Sequence, residues 1–154
     1  MNLAELLDPD YVIAKLSATS KKLALQELAK RAAEFTSLHE RTIFDVLLER
    51  ERLGTTGVGN GIAIPHGKLP GLDRIYGVFA RLEAPIDFDA VDDKPVSLVF
   101  LLLTPETAGA DHLKALTLIS RLLRDQRLCE ELHAAKDASA LRALLRDNAT
   151  SQAA

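Results

Sequence analysis

The segment "VSLVFLLLTP" (Val96 to Pro105) does most to limit what this chain can become. It is apolar on both alternating sides. A strand built from it must be covered on each face, as a central strand is between two layers of helices. It falls well short of the roughly 20 residues that a membrane-spanning helix needs. Amphipathic segments lie on either side of it. "SKKLALQELAKRAAEF" places Leu23, Leu28, Ala32 and Phe35 at helical spacing. "SLHERTIFDVLLERERLG" opens with Ser37 and Glu40 at capping-box spacing, carries Ile43, Phe44, Leu47 and Leu48 on one face, and stops at Gly54.

Three further helices are predicted in "DHLKALTLISRLLRD", "QRLCEELHAAK" and "DASALRALLRDN". "DRIYGVFARLE" predicts a second strand, and "YVIAKLSA" an edge strand or an extended lead-in. Helices before, between and after strands indicate a layered α/β domain. A length of 154 residues suits one domain, taken as residues 1–147, with "NATSQAA" (148–154) as a flexible tail.

Composition narrows the function. With no Trp and 5% aromatic residues, the core is expected to be aliphatic. A net charge of -3 argues against nucleic acid as a partner. The lone Cys129 has no partner for an internal disulfide and reads as a small packing residue. "MNLAELLDPDYV" carries acids where a secretory signal carries positive charge, so a cytoplasmic protein without membrane insertion is expected.

The chemistry concentrates in "GVGNGIAIPHGKLPG" (Gly57 to Gly71). Gly57, Gly59 and Gly61 alternate, but Ile62 stands where a dinucleotide fingerprint has its third glycine. Gly61 is one residue too far from Gly67-Lys68 for a Walker A loop, and Leu69 follows where Ser or Thr belongs. No serine is present for a nucleophile elbow. What remains is a permissive backbone leading to His66, between Pro65 and Gly67. Such a loop can gather backbone N–H groups around an anion, and Thr55 and Thr56 add hydroxyls. A neutral imidazole there is suited to attack a phosphoryl group and hold it. The plainer alternative, that His66 ends a strand and the glycines make a turn, is equally compatible with the spacing.

Other polar residues point nowhere specific. His39 and His133 sit among helix charges and read as surface residues. His66, His112 and Asp111 lack tight metal-ligand spacing. Asp87, Asp89, Asp92 and Asp93 lack the spacing of a calcium loop and read as a solvated connection. No metal and no cofactor are expected.

The block "RERLGTTGVGNGIAIPHGKL", with "APIDFDAVDDKPVSLVFLLLTP" and "HLKALTLISRLLRD", resembles enzyme IIA proteins of the bacterial phosphoenolpyruvate phosphotransferase system. The likeness is to the fructose/mannitol type and, within it, the nitrogen-regulatory branch. It implies a three-layer α/β/α sandwich around a mixed, mainly five-stranded sheet. It implies that His66 accepts a phosphoryl group from an HPr-like histidine phosphocarrier. It matches Arg50 to an arginine that stabilises the phosphoryl group and His112 to a supporting histidine. On the residues alone, Arg50 is not separable from Arg52, and His112 reads more readily as a helix-start residue beside a capping Asp111. Thr55, Thr56, Gly57 and Gly67 would form the phosphoryl-binding loop. Regulatory targets implied for this branch include potassium transport or its sensor kinase. Two other functions stay open: a sugar-specific IIA that passes phosphate to a IIB domain, and a binding module that is never phosphorylated.

Overall fold

The computed structural model describes residues 3–153. Two short 3-10 turns, Leu3–Leu6 and Pro9–Tyr11, lead into strand β1 (Val12–Leu16). Helices α1 (Lys21–Thr36) and α2 (Glu40–Arg52) follow. Three short strands occupy the glycine segment: β2 (Gly57–Gly59), β3 (Ile62–Ala63) and β4 (His66–Leu69). The long strands β5 (Tyr76–Ile86) and β6 (Val96–Pro105) precede helices α3 (Ala110–Arg124), α4 (Gln126–Ala134) and α5 (Ala138–Ala153).

The sheet is mixed, in the order β1-β5-β6-β3-β2, with β4 also pairing along β6. β6 runs antiparallel to β5 and parallel to β3 and β4. Its side chains alternate between two cores, as the period of a strand requires. Leu98, Phe100 and Leu102 face α3, α4 and α5. Val99, Leu101 and Leu103 face α1 and α2. The result is the three-layer α/β/α sandwich that the doubly apolar run calls for.

Several local expectations need correction. The start of α2 is not a capping box. Ser37 adopts a left-handed φ of 61° and closes α1, and His39 caps α2 by accepting the Arg41 N–H at Nδ1 over 3.1 Å. Leu23 is 44% exposed, so the apolar face of α1 is Ala24, Leu25, Leu28 and Ala32. The core is not purely aliphatic, because Phe79, Phe88 and Phe100 are fully buried. α5 continues past Asp147, and Ala149 packs into the core, so residues 148–153 extend a helix where a tail was expected.

The glycine segment owes its course to one turn. Asn60 and Gly61 have φ of 57° and 79° at the two-residue link between β2 and β3. Asn-Gly is the preferred pair for a type I′ hairpin, whose two central residues both need positive φ. The hairpin places β3 beside β6, and Pro65 then releases the chain into β4, with His66 opposite Leu102 and Lys68 opposite Thr104.

Candidate active site

Three elements meet where the start of β4 lies beside the C-terminal half of β6, and each contributes one side chain. His66 opens β4, Arg50 lies in the last turn of α2, and His112 lies in the first turn of α3. The helix α2 comes close because residue 67 is glycine: a Cβ there would meet Val46 Cγ1 at 2.5 Å. The three side chains line a shallow depression of about 360 Å3, with Leu53 and Lys68 on its walls.

The geometry defines the state of His66. Its Nδ1 lies 2.8 Å from the Ile64 carbonyl oxygen. A carbonyl only accepts, so Nδ1 carries the proton. Nε2 in turn accepts the Arg50 Nε–H over 3.2 Å, so its one lone pair points at the guanidinium, which itself lines the depression. Arg50 is steadied by a second bond from Nη1 to the Gly54 carbonyl at 2.8 Å. Burial holds the imidazole below its ordinary pKa. The Arg50 charge adds to that lowering, while the bond to Ile64 and the Glu51 carboxylate oppose it. The neutral, nucleophilic form is favoured.

The His112 ring centroid stands 5.5 Å from that of His66, tilted by 54°. Its Nδ1 lies 2.6 Å from the hydroxyl of Thr104. Thr104 is fully buried at the end of β6. Its hydroxyl holds the His112 ring in one orientation, with Nε2 on the far side of the ring from it. Burial lowers the His112 pKa, and the charges of His66 and Lys68 lower it further.

The loop residues divide. Gly67 lines the depression, but Thr55, Thr56 and Gly57 do not. The Thr55 hydroxyl donates to the Phe88 carbonyl at 2.9 Å and accepts the Gly57 N–H at 3.0 Å. The Thr56 N–H and hydroxyl both donate to Glu51. The Asn60 N–H donates to Asp92 at 3.0 Å. These groups are committed within the fold and do not line the depression, where the side chains with donors are those of Arg50, Lys68 and His112.

Thr104 and Glu51 were not legible as site residues. Each sits in a stretch that reads as core strand or solvated helix end, and only pairing reveals its polar partner. Elsewhere, His39 and His133 are exposed as expected, and His133 Nε2 lies 2.7 Å from the Ser97 hydroxyl. No helix among the described residues is long and apolar enough to cross a membrane.

Fold and site together define an α/β/α domain with a paired-histidine pocket at one end of its sheet. The family model described as phosphoenolpyruvate-dependent sugar phosphotransferase system, EIIA 2, matches residues 5–148, and the chain belongs to that family. It is 58% identical over 145 residues to the nitrogen regulatory protein of Bradyrhizobium diazoefficiens, covering 94% of this chain and 95% of that one. It is 40% identical over 148 residues to the nitrogen regulatory protein of Escherichia coli K12, covering 96% and 91% of the two chains. The crystal structure of nitrogen regulatory protein IIA-Ntr from Neisseria meningitidis superposes with a TM-score of 0.88 at 36% identity, covering 93% of this chain and 98% of that one.

Proposed function

We propose that this chain is a regulatory phosphocarrier of the nitrogen branch, which accepts a phosphoryl group on His66 Nε2 from a phosphohistidine carrier of the HPr kind. The observation that carries this is the fixed tautomer of His66, with its Nε2 lone pair turned to Arg50, which lines the depression. In the transfer, a bond forms between Nε2 and phosphorus as the donor's N–P bond breaks. The donor imidazole leaves with the electron pair, and the proton on His66 Nδ1 stays in place. Such a transfer needs alignment and charge compensation more than covalent help. Arg50 offers a planar fork to the phosphoryl oxygens, and His112 stands beside them.

The regulatory reading follows the nitrogen regulatory relatives. A phosphoryl group adds about -1.5 to -2 charges near neutral pH, on a depression with exposed Leu53 on its wall. A partner that covers it with an apolar surface must desolvate that charge, whereas one with an opposed arginine gains from it. Potassium transport or its sensor kinase are targets of the kind this switch would serve.

The test is incubation with phosphoenolpyruvate, enzyme I and the histidine carrier, read by intact mass. Gain of one acid-labile phosphoryl group, absent from His66→Ala, is expected. Uptake by His66→Ala at the wild-type level would overturn the assignment. Rapid onward transfer to a IIB domain would favour the sugar-specific role.

A further inference from the structure

His66 is restrained at both ring nitrogens, and both restraints start from adjacent residues at the end of α2. Arg50 reaches Nε2 directly. The route to Nδ1 is indirect. Nδ1 donates to the Ile64 carbonyl. The Ile64 N–H donates to the Thr56 carbonyl at 3.0 Å. Thr56 is gripped by Glu51, which takes its N–H on Oε1 at 2.9 Å and its hydroxyl on Oε2.

Glu51 is an unusual residue to find there. Its side chain is 3% exposed, and it pairs with Lys21 Nζ at 3.0 Å. That ammonium also lies 4.9 Å over the Phe88 ring. A buried ion pair contributes little net stability compared with well-packed apolar residues of similar volume. The stretch "RERLGTT" thus places a costly group where an apolar one would serve the fold. What the carboxylate adds is direction: two hydrogen bonds that fix Thr56, whose carbonyl in turn holds the Ile64 N–H. Pro65 restricts the Ile64 backbone from the other side.

We propose that Glu51 is a positioning residue for His66, holding the Ile64 carbonyl through Thr56 so that the imidazole keeps its Nδ1–H tautomer and its Nε2 lone pair. The proposal rests on His66 as the phosphoryl acceptor. If the Ile64 carbonyl drifted, the proton would be free to move to Nε2. That would remove the nucleophilic lone pair and turn an N–H toward the Arg50 donor. The adjacent pair Arg50 and Glu51 therefore controls both faces of one ring.

The test uses the full chain labelled with 15N, at a pH where the imidazoles are neutral. Ring-nitrogen shifts report the tautomer, and phosphoryl uptake is timed in parallel. Three variants are compared: Glu51→Gln, Thr56→Val, and Thr56→Ser as the conservative control. In the first two, the His66 nitrogens should move toward the average of both tautomers, and uptake should slow roughly tenfold, the scale of one charge-assisted hydrogen bond. Thr56→Ser should keep the wild-type tautomer and rate. If Glu51→Gln does not fold, the Thr56→Val and Thr56→Ser pair carries the test. Slowed uptake with unmoved ring nitrogens, or no change in either, would reduce Glu51 to a purely structural ion pair and overturn the proposal. A wild-type chain that takes no phosphate would sink the acceptor reading, while the nitrogen shifts would still decide the relay.

Discussion

The Arg50 Nε–H lies 3.2 Å from Nε2 of His66, on the lone pair through which that imidazole would attack. The guanidinium is also tethered at Nη1 to the Gly54 carbonyl. On the proposed function, the fork would turn from the nitrogen to the incoming oxygens, pivoting on that tether. It would then serve two states, orienting the empty ring and compensating the charge of the loaded one.

This two-state role makes Arg50→Lys informative. Lysine keeps the charge but offers no planar fork and cannot hold both contacts at once. Uptake in the presence of the phosphocarrier should fall roughly tenfold or more, the scale of a charge-assisted bond, with the thermal transition unchanged. Wild-type transfer rates in this variant would return Arg50 to an ordinary helix-end charge.

Thr104→Val removes a buried hydroxyl at constant shape and takes away the hydrogen-bond partner of His112 Nδ1. Phosphoryl uptake at His66 should persist but slow, and onward transfer should slow with it, since both need the same alignment. Rapid-quench kinetics would separate the two steps. Equal rates in both directions for Thr104→Val and wild type would show that the His112 orientation does not matter.

The two histidines also set a pH dependence of stability. Burial lowers both below the ordinary histidine value. Unfolded, each returns to a pKa near 6.5. As pH falls from about 6.5 through the lowered folded values, the unfolded chain binds more protons, so stability declines and then levels off with respect to these groups. Urea midpoints measured between about pH 5 and 7 should fall toward acid, and His66→Asn should flatten the slope. A midpoint that does not change over this range would contradict burial of the neutral rings.

Gly67→Ala tests how α2 is brought against β4. The new methyl group would overlap Val46 Cγ1 at 2.5 Å. A destabilisation of about 1–3 kcal/mol is expected, as for overpacking generally, together with a displaced Arg50. Adding Val46→Ala should recover much of the loss. If chemical denaturation finds the double variant no more stable than the single one, the contact is not what requires glycine.

Much of this architecture is legible in the sequence, because it depends on local periodicity. The run from Val96 to Pro105 announces a strand covered on both faces, and the helices on either side show their apolar stripes. A turn was also written there in Asn60-Gly61, a pair that the glycine spacing around it obscures. The expected loop for an anion becomes a hairpin and a strand because β6 supplies pairing partners that no local signal reveals. The same holds for the site. The sequence by itself marks His66 as a histidine in an unusual backbone setting. Only the tertiary structure decides which nitrogen carries its proton, that Thr104 holds His112, and that Glu51 is buried on Thr56 instead of solvated on a helix end. The physical reason is range: helical and strand periodicity act over a few residues, whereas hydrogen bonds between buried polar groups join residues brought together only when the layers close.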